Sequence, residues 1–252
     1  MRLRPGVEIA GLTDVGCQRE NNEDSYGYWE SDDDAVFARL GRLAIVADGM
    51  GGHEGGQIAS HIAVEAIQHT YSRTSETDPE KALIAAFVEA HHSIQQRGKE
   101  NRGLQGMGTT CTACAIVGAK LYYAHVGDSR LYLLRKGTLR PLSRDHSLVA
   151  RLVETGIIRQ EDAENHPQKH VLTAALGVAD EIEPDVPAEP LSLEKSDVVL
   201  ICTDGLWGQL TEAELKDALI SNTPTDACQA LLRLAKDHGA PDNVTLQIAR
   251  IV

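Results

Sequence analysis

The sequence predicts an antiparallel α+β protein, and three observations carry that prediction. Runs of β-branched or alternating residues recur at 7–13, 43–47, 110–117, 120–126, 130–135, 198–203 and 244–251, the period expected of strands. Gly118-Ala119-Lys120 and Lys136-Gly137 fall between such runs and mark hairpins. Helical patterns stand apart from the strand runs instead of alternating with them, which separates this chain from a doubly wound βαβ fold.

The first two strand runs, 7–13 and 43–47, precede any helix. Ile58, Ile62, Ala63, Ala66 and Ile67 then share one face of a helix. Asp78-Pro79 supplies an N-cap followed by proline at the first position. Ala82, Leu83, Ala86, Phe87, Ala90 and Ile94 give the long helix behind it an apolar face. His91-His92 lies beside that face and is expected to be a solvated pair. Strands 110–117, 120–126 and 130–135 follow as hairpins, with Tyr122 and Tyr123 reading as packing residues. Residues 144–194 hold one short amphipathic helix at 148–155 among prolines and acids, and read as an irregular insertion over a surface. After strand 198–203, Thr211 with Glu214 forms a capping box, and a last helix at 224–238 ends at Gly239.

The chain has 252 residues, 42% hydrophobic and 24% charged, without repeat, heptad run or low-complexity tract. One folded domain with a sizeable core is expected, and disorder, collagen and coiled coil are excluded. A net charge of -13 would repel a polyanion, so nucleic acid is not expected as a partner. Cysteines at 17, 111, 114, 202 and 228 lack the spacing of a disulfide framework and fit a reducing compartment. Cys111 and Cys114 lie three apart in a strand, on opposite faces, which suits neither zinc nor a dithiol. No signal region and no membrane-length apolar run appear, so a cytoplasmic protein is expected. Val252 directly follows the last strand, so no sensor or membrane tail is expected either.

The chemistry concentrates where strands end. The run 43–47 leads into Asp48-Gly49, the run 198–203 into Asp204-Gly205, and Val126-Gly127 into Asp128. Any one of these reads equally as an ordinary turn. Together with Arg19, Glu23 and Asp24, and with Asp242 before the final strand, they suggest carboxylates gathered at one rim. Such a group repels itself unless cations neutralise it, and oxygen donors suit hard divalent ions.

In its motifs the sequence resembles the PP2C family of metal-dependent protein serine/threonine phosphatases, in its bacterial branch. The motifs are Thr13-Asp-Val-Gly-Cys-Gln-Arg-Glu-Asn-Asn-Glu-Asp24, Val46-Ala-Asp-Gly-Met-Gly-Gly52, Gly108-Thr-Thr110, Val126-Gly-Asp-Ser-Arg130, Leu172-Thr-Ala-Ala-Leu-Gly177, Cys202-Thr-Asp-Gly205 and Asp242-Asn-Val-Thr245. The resemblance implies a four-layer α-β-β-α sandwich, two antiparallel sheets flanked by helices, with metals in a cleft at one end. It implies two Mn2+ or Mg2+ ions, with Asp48 between them, Asp204 and Asp242 on the first, and the Gly49 carbonyl with Glu23 or Asp24 on the second. Asp128 with Asp204 matches the place of a third ion. A metal-bridging hydroxide would attack phosphorus in line, while the Arg19 fork holds the phosphate. A surface Arg19 paired with Glu20 or Glu23 is the alternative that the motif context weighs against.

Met50 stands where many eukaryotic members carry a histidine, so the acid for the leaving group is open between His53 and a metal-bound water. The glycine-rich loop around Gly49 lacks a P-loop ending, and Ser129 lacks the setting of a nucleophile. The resemblance implies phosphoserine and phosphothreonine proteins as substrates, a Ser/Thr kinase as counterpart, a monomer, and a flap at 144–180. A catalytically silent phosphoprotein-binding domain of the same fold is the alternative. A two-metal nuclease is disfavoured by charge.

Overall fold

The computed structural model describes residues 4, 6–51, 54–163 and 166–252. In chain order the elements are β1 (Val7–Asp14), β2 (Asp24–Glu30), α1 (Asp34–Leu40), β3 (Arg42–Met50), α2 (Gly55–Arg73), α3 (Pro79–Glu100), β4 (Gly108–Thr109), β5 (Cys111–Val117), β6 (Lys120–Val126) and β7 (Arg130–Arg135). They continue with β8 (Thr138–Pro141), α4 (Leu148–Glu154), α5 (Gln160–Ala163), β9 (Leu191–Ser192), β10 (Val198–Cys202), α6 (Asp204–Trp207), α7 (Glu212–Ser221), α8 (Pro224–Asp237) and β11 (Val244–Ile251). One sheet has the order β1-β11-β10-β7-β8 and the other β2-β3-β5-β6-β9, with β4 against the end of β3. The pairings are antiparallel.

Three apolar layers show how these parts stack. Leu43, Ile45 and Ala47 of β3 face Ala63, Ile67, Leu83 and Phe87 on α2 and α3. Ala44 and Val46, pointing the other way, join Cys114 and Ile116 against Leu131, Leu133, Val199 and Ile201 of the second sheet. The far face of that sheet, with Leu200, Leu246 and Ile248, packs on Leu215, Leu219, Leu231 and Ala235 of α7 and α8. The order is therefore helix, sheet, sheet, helix, the four-layer sandwich expected. β3 and β10 are buried on both faces, which is why they read as continuous apolar runs.

Helix ends follow the sequence signals. Asp78 accepts from the Glu80 N–H with Pro79 at the first position, Thr211 and Glu214 close a reciprocal capping box, and Thr223 caps α8. Besides the short β4, β8, β9, α5 and α6, two seven-residue elements were not foreseen, β2 and α1. The second is started by Asp33, whose carboxylate accepts from Ala35 N–H and Val36 N–H. One expectation is overturned. His91 is completely buried, its Nδ1 accepting the Gly177 N–H at 3.0 Å, whereas His92 is exposed. Position 91 is four residues after Phe87 and three before Ile94, on the apolar face itself.

Cys111 and Cys114 do lie on opposite faces of β5, one in the helix-side layer and one between the sheets, and both are free thiols. The stretch after β8 carries only short elements. It is fastened by β-bridges joining Ser147 to Leu172, Thr109 to Leu176 and His125 to Asp185. Among the described residues no helix is long and apolar enough to cross a membrane.

One polar side chain crosses the dry interface between the sheets. Gln247 of β11 is 3% exposed, and its Oε1 accepts the Ile45 N–H of β3 at 2.9 Å. Leucine has nearly the same size but no acceptor, so Gln247→Leu leaves a buried N–H unpaired. A loss of about 1–3 kcal/mol in unfolding free energy is expected from urea titration, and an unchanged midpoint would show that this bond contributes nothing net.

Candidate active site

Strand pairing brings the predicted carboxylates to one rim. Asp24, the first residue of β2, is in register with Asp48 near the end of β3. Cys202, the last residue of β10, pairs with Arg130 at the start of β7. Asp204 and Asp128 therefore emerge from neighbouring strand ends. Asp242 precedes β11, whose first residue pairs with Asp14. One sheet contributes Asp24 and Asp48, the other contributes Asp204 and Asp242, and Asp128 sits in the turn from β6 to β7 that passes between them.

Short polar side chains stitch this rim together. Thr203 Oγ1 donates to Asp24 Oδ2 at 2.9 Å, and the Thr110 and Ser129 hydroxyls share a bond of 2.7 Å. The Asp48 carbonyl accepts the Thr110 N–H at 2.9 Å and the Thr109 hydroxyl at 2.8 Å. Asn243 is the hub of the loop between β1 and β2: its Oδ1 accepts the Glu23 N–H at 2.8 Å, while its Nδ2 donates to the carbonyls of Val15 and Asn21. Thr203 and Asn243 lie inside motifs quoted above, yet only the fold reveals their roles, because each joins segments remote in sequence. Arg19 is held over this loop with Nη2 2.7 Å from Asp242 Oδ2. Its partner is thus Asp242, not Glu20 or Glu23, and half of its side chain stays exposed.

Gly49 cannot be replaced without moving backbone. A Cβ there would lie 2.0 Å from the Gly56 carbonyl oxygen and 2.6 Å from that of Glu23, and one on Gly56 would lie 2.4 Å from Glu23 Oε2. The Glu23 carboxylate therefore rests against the paired Gly49 and Gly56 backbone. His53, between them in sequence, lies outside the described residues.

The electrostatics are those of an uncompensated anionic nest. Burial pushes the Asp48 carboxyl well above its usual range, and the charges of Asp24, Asp204, Asp128 and Asp242 push it further. Asp24 and Asp128 are each raised to about 7, first by burial and then, for both, by Asp204. Asp204 is raised by burial and by the charge of Asp242. Glu23 is raised, chiefly by burial. Asp204 Oδ1 is buried with no hydrogen-bond partner. An orphaned carboxylate oxygen amid like charges fits a divalent cation, and a donor set made of oxygens selects hard ions such as Mg2+ and Mn2+. Among the described residues no three His, Cys, Asp or Glu side chains converge on one point. Each cation would therefore be completed by carbonyls and water, the way such ions are commonly held.

A rim of acidic oxygens with one guanidinium at its mouth belongs to the class of sites that gather hard cations beside a phosphate group. Comparison with known proteins makes the class specific. The family model for protein phosphatase 2C matches residues 18–237, and the chain belongs to that family. It is 37% identical over 247 residues to protein phosphatase PhpP of Streptococcus pneumoniae, covering 96% of each chain. It is 35% identical to the serine/threonine protein phosphatase PstP of Mycobacterium tuberculosis, covering 98% of this chain and 45% of that one. Among solved structures, the serine/threonine phosphatase of S. agalactiae superposes with a TM-score of 0.89 at 35% identity, over 98% of this chain and 100% of the other. The catalytic domain of PstP in complex with two manganese ions superposes with a TM-score of 0.85 at 33% identity, over 98% and 99%.

The raised carboxyls set the pH response of protein stripped of cations. The folded chain retains protons that an unfolded chain, with aspartates near 3.8, has already released. Stability is therefore withdrawn as pH rises through about 7. Unfolding free energy is expected to be lower at pH 8 than at pH 6 by about 1 kcal/mol or more, with Mn2+ abolishing the difference. Equal stability at both pH values in chelator would contradict this account.

Proposed function

We infer that the protein is a metal-dependent protein serine/threonine phosphatase. The observation that carries this reading is the rim made by the buried Asp24 and Asp128 with the partly buried Asp48, Asp204 and Asp242, and its orphaned Asp204 oxygen, in a chain of the protein phosphatase 2C family. The manganese of the mycobacterial relative supports Mn2+ or Mg2+ as the cofactor.

Asp48, Asp204, Asp242, Glu23, Asp24, Asp128 and the Gly49 carbonyl are the proposed holders. Bound there, divalent cations supply charge neutralisation for the phosphoryl oxygens and a lowered pKa for water. Asp24 would join the other holders with its Oδ2 already oriented by the Thr203 hydroxyl. Arg19 turns its planar fork to the phosphate dianion, with Asp242 fixing the guanidinium in advance. Ser129 is buried on Thr110, and burial pushes the Cys111, Cys114 and Cys202 thiols up, so none of these four is poised as a nucleophile. Direct hydrolysis without a phosphoenzyme is the proposed course. His53 is the side chain proposed to protonate the leaving alkoxide.

Substrates are proposed to be phosphoserine and phosphothreonine proteins made by a Ser/Thr kinase, met by a monomer in the cytoplasm, a compartment consistent with five free cysteines. Residues 144–180 are proposed as a flap over the cleft, tethered by the Ser147–Leu172 and Thr109–Leu176 bridges while its middle is largely exposed.

Metal-stripped protein should release phosphate from a phosphothreonine peptide only when Mn2+ is added. Asp204→Ala should lower turnover by about a hundredfold or more, and Arg19→Lys should mainly raise KM for the peptide. Metal-independent turnover, or a folded protein that binds Mn2+ and never turns over, would sink the reading. Exchanging 148–171 for the corresponding segment of a relative should change peptide preference while leaving Mn2+ affinity alone; unchanged preference would remove the flap from substrate choice.

A further inference from the structure

We propose that Trp207 is a positioning residue of this centre, fixing the Asp128 peptide relative to the helix turn that Asp204 begins. The proposal rests on the phosphatase reading above. Trp207 ends α6, the single turn that Asp204 begins, and its Nε1–H donates to the Asp128 carbonyl at 3.0 Å. One indole therefore ties the strand end that carries Asp204 to the turn that carries Asp128.

The indole is itself immobilised. The Arg130 guanidinium carbon lies 3.5 Å from its ring centroid, a cation–π contact of close approach. Arg130 is locked in turn by a two-pronged pair to Asp145, at 2.9 and 2.7 Å, and donates to the Tyr132 hydroxyl at 3.2 Å. On the opposite side, His146 grips the preceding peptide. Gly127 N–H donates to His146 Nδ1 at 3.2 Å, and the Gly127 carbonyl accepts the His146 N–H at 2.6 Å. Gly127 has φ of 108° and lies so near Thr110 that a Cβ would meet it at 2.5 Å.

The Gly127-Asp128 turn is thus clamped from both flanks, with only the Asp128 carboxylate left to face the rim. Trp207 is bonded to the Asp128 peptide and is carried by the helix turn that Asp204 begins, so the two acids are held in one frame. A phenylalanine would keep the stack on Arg130 and lose only the donor.

The test is calorimetric titration of Mn2+ into metal-stripped wild type, Trp207→Phe, Asp128→Asn and the double variant, alongside thermal unfolding of the stripped proteins and peptide kinetics. Trp207→Phe is expected to weaken the weakest Mn2+ step about tenfold and to raise the Mn2+ needed for half-maximal turnover by a similar factor. KM for the peptide should stay within about twofold. In the Asp128→Asn background the same change should do nothing more, and Trp207→His, which retains a ring N–H, should recover part of the affinity. An isotherm for Trp207→Phe that superposes on an active wild type would overturn the proposal alone. So would an equal loss in the Asp128→Asn background, or a drop in the melting temperature of the stripped protein large enough to account for the lost affinity. A wild type that binds no Mn2+ would overturn the phosphatase reading and the proposal together.

Discussion

Mutual repulsion among Asp24, Asp48, Asp128, Asp204 and Asp242 is the force that the rest of the molecule is arranged to contain. Like charges gathered in one nest oppose one another, and burial together with neighbouring carboxylates pushes the Asp48, Asp24 and Asp128 carboxyls up. The containment comes from hydrophobic sheets on both sides and from a seam of small polar bonds across their end. Thr203 on Asp24, Thr110 on Ser129 and Asn243 on Glu23 each join segments from different parts of the chain. Strain of this kind is tolerated where function requires it and is opposed elsewhere, here by three apolar layers.

The division of labour between layers and rim explains why the site is rigid without being a closed cage. β3 and β10, buried on both faces, run straight into Asp48 and toward Asp204. The segment after β8 is built differently, pinned at its base by β-bridges and elsewhere lying on the surface.

Much of this was legible in the sequence because the signals were local. An apolar run ending in Asp-Gly predicts a carboxylate at a strand end, and Asp78-Pro79 or Thr211 with Glu214 predicts a helix start, without knowledge of the partners. β2 was missed because Asp24 to Glu30 contains Gly27 and large aromatics that mask an alternating pattern. The glycine is there for α2, since a Cβ would sit 2.6 Å from Val64 Cγ1. α1 was hidden in an acidic run whose last members turn out to be a cap and a first turn. His91 was misjudged for lack of a partner, and the Gly177 N–H that it accepts lies far along the chain. The bond between Arg19 and Asp242 and the clamp around Asp128 were out of reach for the same reason. Local patterns announce elements, whereas pairings between distant loops exist only once the sheets have docked.

β11 is the last strand of the chain, yet it lies inside its sheet between β1 and β10, and Asp242 and Asn243 sit at its entrance. β1 therefore has no partner in its sheet until β11 docks, and the same event brings Asp242 and Asn243 to the rim that Asp204 reaches from β10. Closure of this sheet and assembly of its half of the acidic rim are one long-range step, whereas Asp24 and Asp48 are brought into register by the pairing of β2 with β3 alone.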